Sequence, residues 1–399
     1  MESANYGHRK ATTTLRIEDQ SGTPLPGKEV TVRQMRHKVL FGCAGFESVP
    51  LVNGALSGQE KEFAEQHISG MRELFNFITL PFYWGRFEPE RGKPNTEQLK
   101  KTAAWWKDQN VTLKGHTLCW HTVCAPWLLE MSDEEILAAQ LARITRDVSG
   151  FAGLIDMWDV VNEAVIMPIF DKYDNGVTRI CKREGRIGLV KKAFMAAWDA
   201  NPIATFLIND FEMSESYDIL LEGLLEAGVP IGAIGLQSHM HQGCWSREKT
   251  EEILSRYSRF GLPLHFTEIN LVSGDIMPRH IVDLNDYKTA SWPTTPDGEE
   301  RQAAEAAAFY RLLFASPLVE AVTYWSFTDG GWLNAPAGLM TKDARKKPVY
   351  DALHGLIKGE WWTPEHTLVS GGDGTITVNG FKGDYCAEYD DRKIQFAIG

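Results

Sequence analysis

The chain has 399 residues, of which 43% are hydrophobic and 11% aromatic. This composition supplies a large buried core and excludes disordered and fibrous proteins. The formal net charge of −12 argues against nucleic acid or an anionic membrane as a partner, because both attract basic surfaces. No apolar run approaches the roughly 18–20 residues that a membrane-spanning helix needs.

The N-terminus and the cysteines bear on the compartment. Residues 1–8 contain no apolar segment of a secretory signal, so we slightly favour the cytoplasm and leave secretion open. The six cysteines form no Cys-x-x-Cys pair, which gives no support to a zinc or thioredoxin-like site. We expect free thiols, and only Cys119 and Cys124 are close enough in sequence to form a local disulfide.

The first part of the chain, residues 1–38, carries β-strand signals. Apolar residues alternate around Leu15 and Ile17, a Ser-Gly-Thr-Pro turn follows, and Val30 and Val32 resume the alternation. This is the pattern of a hairpin or meander.

Residues 39–358 alternate short apolar runs with longer segments of helical spacing. Eight such strand–helix units over about 320 residues favour a closed (β/α)₈ barrel, a TIM barrel, over an open doubly wound sheet. The absence of Gly-x-Gly-x-x-Gly after the first run also argues against dinucleotide binding. The predicted strands are 39–46, 75–84, 112–120, 155–163, 204–210, 233–240, 263–270 and 321–328, and the predicted helices include 59–74, 97–109, 133–148 and 188–200.

The last part, residues 359–399, returns to β-strand signals such as Thr375-Ile376-Thr377-Val378. Neither end of the chain is long enough to bury a core alone. We therefore predict that residues 1–38 and 359–399 join in one small accessory β-sandwich beside the barrel of residues 39–358. Two independent hairpins are the alternative.

Two carboxylates stand at predicted strand ends. Glu163 closes the fourth strand in W-D-V-V-N-E-A, and Glu268 closes the seventh in H-F-T-E-I-N. A single Glu at a strand end is commonly a surface ion-pair partner. Two of them, each following an apolar run that ends at the same barrel mouth, indicate a pair that acts together in catalysis. Glycosidic cleavage needs a general acid, here Glu163, and a second carboxylate, here Glu268. Retention of configuration requires a separation of about 5–5.5 Å, which the sequence does not measure.

Other strand ends carry side chains that suit a sugar site. Histidine and glutamine hydrogen-bond hydroxyls, and indole faces stack on pyranose rings, although each residue alone is equally explained by core packing. The histidines lack H-E-x-x-H or close carboxylates, so we expect no catalytic metal and no cofactor. The candidates are His116 and Trp120 on the third strand, Gln237 and His239 on the sixth, and Trp325 and Trp332 at the eighth.

At these residues the sequence resembles glycoside hydrolase family 10, the endo-β-1,4-xylanases, over about residues 40–358. The resemblance implies that Glu163 is the acid/base and Glu268 the nucleophile. It also implies that Asn162 binds the sugar 2-hydroxyl beside the cleaved bond, and that the six candidates above shape the adjoining subsite. The matching segments, in chain order, are 88–92, 115–121, 158–164, 208–211, 235–239, 266–268, 324–332 and 346–348.

The chain departs from the family pattern at the second strand. The family usually has a Glu-Asn pair and a nearby Lys there, which hold the sugar two places from the cut on the non-reducing side. Here Phe82 and Tyr83 stand near those places. Because buried polar anchors are worth about 1–3 kcal/mol each, their loss weakens or reshapes this subsite. Tyr83 and Arg86 are candidates to compensate.

A second departure is Asn270, where the family commonly has Asp. Asparagine can hydrogen-bond a neighbouring histidine but carries no charge, so we expect hydrolysis to survive with a different pH optimum. The long segment 271–301 is either a loop over the cleft, which we favour slightly, or a solvated connection.

The sequence thus predicts a retaining hydrolase of β-1,4-xylosidic bonds in xylan or xylo-oligosaccharides, with a β-linked glycan as its partner. One alternative is the same machinery acting on a different β-glycoside, such as a decorated oligosaccharide or a plant glycoside. The other is a non-catalytic sugar-binding barrel. Chain-length preference, endo or exo action and oligomeric state are left open by the sequence.

Overall fold

The strands form one parallel set in the middle of the chain and antiparallel sets at its ends. The computed structural model describes residues 6–399. Residues 1–5, on which part of the argument against a secretory signal rests, lie outside the described residues. The strands are β1 (Lys10–Arg16), β2 (Glu29–His37), β3 (Leu40–Ala44), β4 (Phe77–Pro81), β5 (Thr112–Cys119), β6 (Met157–Asn162), β7 (Thr205–Asp210), β8 (Ala233–Leu236), β9 (His239–Met240), β10 (Leu264–Leu271), β11 (Val319–Tyr324), β12 (His366–Val369), β13 (Thr375–Phe381), β14 (Gly383–Tyr389) and β15 (Arg392–Ile398).

Helices connect the parallel strands and cover the outside of the barrel. Several begin at side-chain caps, of which the clearest is the reciprocal capping box of Ser132 and Glu135. None of the described helices is long and apolar enough to cross a bilayer. The helices are α1 (Ser48–Val52), α2 (Gly58–Leu74), α3 (Trp84–Phe87), α4 (Thr96–Lys107), α5 (Asp133–Gly150), α6 (Gly176–Glu184), α7 (Arg186–Ala200), α8 (Glu215–Glu226), α9 (Arg247–Ser258), α10 (Pro296–Ala315) and α11 (Pro348–His354).

The parallel strands close into an eight-stranded barrel. Their order is β11–β3–β4–β5–β6–β7–β8–β10, and β10 pairs in parallel with β11 to complete the circle. The predicted (β/α)₈ barrel is therefore confirmed. The sixth predicted strand is divided into β8 and β9. Between the two parts, the backbone N–H of Gln237 donates to Asp210 O on β7, whereas Ser238 O accepts from the backbone N–H of Asn270 on β10.

The layer between the barrel strands and the helices requires a small residue where a large one packs against it. Gly115 on β5 faces Trp158 on β6, and a Cβ at that glycine would lie 2.2 Å from the indole ring. Trp158 is fully buried and also contacts Phe82 and Phe151. A side chain at position 115 would therefore force the two strands apart.

Both ends of the chain build the accessory sandwich together. β1 pairs antiparallel with β13, and the second sheet has the order β12–β2–β14–β15. The two sheets share a buried cluster that includes Ile17, Val30, Val378 and Tyr385. The predicted sandwich of N- and C-terminal segments is confirmed, and the alternative of two independent hairpins is wrong. The exact domain boundaries at residues 38 and 358 stay a prediction.

All six cysteines are free thiols in the structure, so Cys119 and Cys124 are not paired. Burial raises the pKa of the Cys124 thiol to about 12 and holds both thiols in the neutral form. We expect neither of them to be a nucleophile at neutral pH.

Arg9 joins the sandwich side of the chain to the barrel. Its side chain is buried, and its guanidinium donates to the backbone carbonyls of Phe314 at 2.9 Å, Ser316 at 2.5 Å and Val319 at 2.8 Å. These carbonyls lie at the end of α10 and the start of β11, so one side chain satisfies several acceptors of that turn.

Replacing Arg9 with Met should lower the free energy of unfolding by about 2–4 kcal/mol, because buried carbonyls lose their donors. Urea denaturation followed by circular dichroism measures this. Arg16→Ala is the matched control, since Arg16 forms only an exposed ion pair with Glu18 and should change stability by less than about 1 kcal/mol. Equal effects of the two substitutions would contradict the structural role of Arg9.

Candidate active site

The ten residues predicted for the site lie at the carboxyl ends of the barrel strands, where contacts link them into one continuous group. Their individual roles stay predictions. Tyr83 follows β4, His116 and Trp120 are at the end of β5, Asn162 and Glu163 are at the end of β6, Gln237 and His239 follow β8, Glu268 is in β10, and Trp325 and Trp332 follow β11.

Glu163 leaves the end of β6 in a left-handed backbone conformation with a φ of 57°. Its backbone N–H donates to Asn209 O at 2.8 Å, which holds this uncommon conformation. Its side chain is 13% exposed. Trp120 Nε1 donates to Glu163 Oε2 at 2.8 Å, and Gln237 Nε2 donates to Oε1 at 3.3 Å. Asn162 Nδ2 also donates to Oε1, at 3.4 Å. The carboxyl group thus faces the mouth with three neutral donors on it.

Glu268 is held by a different set of partners. It is 4% exposed and lies within β10. Its Oε1 accepts from Asn209 Nδ2 at 2.8 Å, and its Oε2 pairs with His239 Nε2 at 2.9 Å. Both carboxyl oxygens therefore receive a good hydrogen bond, which favours the ionised form.

A single amide connects the surroundings of the two carboxyl groups. Asn209 Nδ2 donates to Glu268 Oε1 and, at 2.7 Å, to Asn162 Oδ1, which also accepts from Gln237 Nε2 at 3.1 Å. The Oδ1 of Asn209 accepts from Thr267 Oγ1 at 2.6 Å. All polar atoms of this amide are thereby fixed.

Asn209 is a site residue that the sequence reasoning placed in a motif but not in the site. Its signal was a polar residue at the end of the strand next to β6, where β6 and β7 pair Asn162 with Asn209 in register. Gly235 on β8 makes room for it, because a Cβ there would lie 2.4 Å from Asn209 Oδ1. The register and the glycine together set the position of the amide.

The two carboxyl groups differ in protonation. Burial raises the pKa of Glu163 to about 8; the hydrogen bonds from Trp120 and Gln237 act to lower it, and the nearby charges of Asp210 and Glu268 act to raise it. Burial also acts to raise the pKa of Glu268, but the hydrogen bond from His239 and the basic groups of His116 and Lys114 outweigh it and hold that pKa below its ordinary value. At neutral pH the first is an acid and the second a carboxylate.

A buried ion cluster lies on β5 and β6 beside the site. Asp159 Oδ2 is 2.7 Å from Lys114 Nζ and 2.7 Å from His116 Nδ1. Although burial acts to raise the pKa of Asp159, these two basic partners hold it below its ordinary value. The cluster fixes the His116 ring and places positive charge near Glu268.

Asn270 determines which nitrogen of His239 carries the proton. The backbone N–H of Ser326 donates to Asn270 Oδ1 at 3.2 Å, so the NH₂ end of the amide points to His239 Nδ1, also at 3.2 Å. Because that nitrogen accepts, the ring proton lies on Nε2 and is donated to Glu268. Asn270 thereby orients the His239 ring towards Glu268, which gives the expected effect of Asn270 on pH dependence a structural basis.

Phe82 and Tyr83 point in opposite directions, as successive residues of an extended segment do. The ring of Phe82 turns away from the site and is buried, with its centroid 4.8 Å from that of Trp158 and 5.0 Å from that of Phe151. Tyr83 faces the site, with its ring centroid 5.5 Å from that of Trp120. Arg86 lies over the Tyr83 ring at 5.8 Å.

The segment after β10 reaches the loop that follows Glu163. Lys172 Nζ lies 2.5 Å from Asp283 Oδ2 and 2.9 Å from Asp286 Oδ1. Gln242, in the loop after β9, donates to Pro278 O at 3.0 Å. These contacts favour the prediction of a loop over the cleft rather than a free connection. Trp332 borders the same region, with its ring centroid 4.3 Å from that of His239.

Comparisons with known proteins agree with this geometry. The family model described as glycosyl hydrolase family 10 matches residues 49–355. Endo-1,4-beta-xylanase B of Thermotoga neapolitana is 27% identical over 317 residues, which cover 74% of this chain and 84% of that protein. Endo-1,4-beta-xylanase 2 of Arabidopsis thaliana is 22% identical over 95% of this chain but only 32% of its own length, so the chain spans about a third of that relative.

Among solved structures, native xylanase 10B from Thermotoga maritima superposes with a TM-score of 0.65 at 25% identity. The match covers 81% of this chain and 96% of that one. The part of this chain left uncovered is close in size to the two β-rich ends together.

Asp210 is a further buried acid close to Glu163. It accepts hydrogen bonds from the backbone N–H groups of Val165 at 3.1 Å and Glu212 at 3.0 Å. Burial raises the pKa of Asp210 to about 7 against the effect of these donors. When ionised, it opposes ionisation of Glu163.

Asp210→Asn should therefore lower the pKa of Glu163 and move the basic limb of the pH profile of kcat/KM to lower pH. The sign follows because the substitution removes a negative charge that favours the protonated acid. The measurement is hydrolysis of an aryl β-glycoside between pH 4 and 10. A basic limb that stays in place or moves upward would contradict the coupling of the two acids.

Proposed function

The chain belongs to glycosyl hydrolase family 10 and is a glycoside hydrolase, and on this basis we propose that it cleaves β-1,4-xylosidic bonds in xylan or xylo-oligosaccharides with retention of configuration. The observation that carries the proposal is the pair of unlike carboxyl groups within one hydrogen-bonded network. The names of the relatives support the substrate class, since both curated relatives above are endo-1,4-beta-xylanases.

In the first step, Glu268 attacks the anomeric carbon of the sugar at the cleavage point. The bond from that carbon to the leaving oxygen breaks as Glu163 donates its proton to the oxygen. A glycosyl ester on Glu268 and a free leaving group result. The raised pKa of Glu163, about 8, supports this role because the proton is present at neutral pH.

In the second step, Glu163 acts as a base. It takes a proton from water, whose oxygen attacks the anomeric carbon from the side that the leaving group has vacated. The ester bond to Glu268 breaks, and the released sugar has the configuration of the substrate. Loss of the neighbouring negative charge while Glu268 is esterified lowers the pKa of Glu163, which suits its change from acid to base.

Asn162 and Gln237 lie where they can bind hydroxyl groups of the same sugar. The Asn162 amide is oriented by Asn209 through its Oδ1. Its NH₂ group donates one hydrogen to Glu163 Oε1 at 3.4 Å and has a second hydrogen for the 2-hydroxyl. The indoles of Trp325 and Trp332 border the site and supply faces for the pyranose ring. Hydrogen bonds to the 2-hydroxyl that strengthen in the transition state contribute several kcal/mol in enzymes of this class.

A different β-glycoside is the second candidate substrate. The observation in its favour is the segment after β4, where Tyr83 replaces the polar groups that family members usually present to the glycone. A panel of aryl β-xylosides, aryl β-xylobiosides, xylan and other β-glycans separates the two candidates. Hydrolysis of another β-glycoside with no turnover of any xylose-based substrate would reject the first.

Glu268→Gln should lower kcat by about 10⁴-fold or more on every substrate, because the nucleophile is lost. Glu163→Gln should lower kcat by about 10²–10⁴-fold on xylo-oligosaccharides, whose leaving alcohol needs a proton. With a dinitrophenyl glycoside, the rate of the first step should fall far less in Glu163→Gln, since the dinitrophenolate leaves without protonation. Steady-state and burst kinetics measure both effects.

Glu184→Gln is the control for this pair, since Glu184 lies on α6, away from the strand ends, and forms ion pairs with the exposed side chains of Lys192 and Arg183. It should keep the activity of the unaltered enzyme. Proton NMR of the first-formed sugar checks the stereochemistry, and the β-anomer should appear first. Initial release of the α-anomer, or equal losses of Glu163→Gln on activated and unactivated substrates, would contradict the mechanism.

A further inference from the structure

Four aromatic side chains close one side of the mouth by touching one another in a circle, which we call the ring circle: Phe46, Tyr83, His116 and Trp325. The ring centroids are 5.7 Å apart for Phe46 and Tyr83, and 5.5 Å apart for Tyr83 and His116. They are 5.1 Å apart for His116 and Trp325, and 5.5 Å apart for Trp325 and Phe46. All four pairs meet edge to face, which is direct contact.

These distances leave no space for a sugar between the rings. A pyranose held between two aromatic groups needs a contact distance of about 3.5–4.0 Å on each side, so the rings would have to be roughly 7–8 Å apart. Every neighbouring pair in the ring circle is closer than that. A sugar therefore packs against the ring circle, not through it.

The ring circle lies on one side of the two carboxyl groups. Its members come from β5 and from the segments after β11, β3 and β4, four neighbouring strands of the barrel. Glu163 and Glu268 stand on the strands that border this set of four, β6 and β10. The remaining strands, β7 and β8, lie on the other side.

The segment after β4 belongs to the glycone side in the family that this chain resembles. The polar anchors usual there are replaced by Tyr83, a member of the ring circle. The Nδ1 atom of His116 does not hydrogen-bond a second sugar, because it already pairs with Asp159 Oδ2 at 2.7 Å. In this chain the segment that usually carries those polar anchors therefore contributes a ring to the ring circle.

We propose that the ring circle ends the glycone side after one sugar, so that the enzyme removes single residues from the non-reducing end of its substrate. This rests on the proposed function and deepens it by assigning exo action. The reaction is the two-step hydrolysis given above, with one sugar bound before the cleaved bond. The rest of the chain leaves on the side of β7 and β8.

The opposite side of the mouth differs in exposure. Phe211, directly after β7, is 43% exposed, and Tyr173, in the loop after Glu163, is 47% exposed. Trp325 in the ring circle is only 7% exposed. Exposed aromatic faces on the side of the leaving group suit stacking of further sugars of the departing chain.

The test compares an aryl β-xyloside with the aryl β-xylobioside of the same phenol, using the full-length enzyme. The unaltered enzyme should have a kcat/KM for the xyloside about tenfold or more above that for the xylobioside. Tyr83→Ala should shift this ratio about tenfold or more towards the xylobioside, because it opens the ring circle. Tyr83→Phe is the matched control and should leave the ratio unchanged, since the ring remains.

A second measurement does not depend on any variant. With xylopentaose, the unaltered enzyme should release xylose as the first small product, and xylobiose or xylotriose as first products would overturn the proposal. A xylobioside preferred by the unaltered enzyme would also overturn it. The enzyme could instead hydrolyse the aryl β-glycoside of another single sugar and fail to hydrolyse any xylose-based substrate. That result would reject xylan as the substrate and would support the one-sugar glycone site.

Discussion

The arrangement of the site depends on the hydrogen bonds of one buried amide, that of Asn209. Its NH₂ group donates to Glu268 and to Asn162, and its oxygen accepts from Thr267. Because the same amide touches Glu268 and Asn162, the residue before Glu163, neither can move without breaking a buried hydrogen bond. A buried donor or acceptor left alone costs about 1–3 kcal/mol, which makes the arrangement rigid.

The barrel supplies what this amide requires. The parallel register pairs Asn162 with Asn209, and Gly235 on the next strand leaves the space for its side chain. The positive φ of Glu163 turns that side chain off the strand towards the mouth, and its backbone N–H bonds to Asn209 O. Burial then favours the protonated form of Glu163, while His239 and Asn209 stabilise the carboxylate of Glu268. Protonation states thus follow from backbone geometry.

The sequence predicts the fold well because strand and helix periodicities and the positions of strand ends are local properties. Glu163, Glu268 and their companions were found in this way. The amide bridge of Asn209 was not, because it depends on which residues of neighbouring strands are in register. The direction of Phe82 was also missed, since a shift of one residue in an extended segment reverses the side on which a side chain lies. The ring circle forms only when strand β5 and the segments after β3, β4 and β11 meet in space, and none of these segments alone carries a signal for it.

The unequal protonation of the two acids is the central claim, and NMR of the side-chain carboxyl carbons tests it most directly. The protein is labelled with ¹³C-glutamate, and the signals are assigned with Glu163→Gln and Glu268→Gln. The account predicts that the Glu163 carbon titrates near pH 8 and the Glu268 carbon below its ordinary range. Titration of both near the usual glutamate value of about 4.3, or a higher pKa for Glu268 than for Glu163, would contradict it.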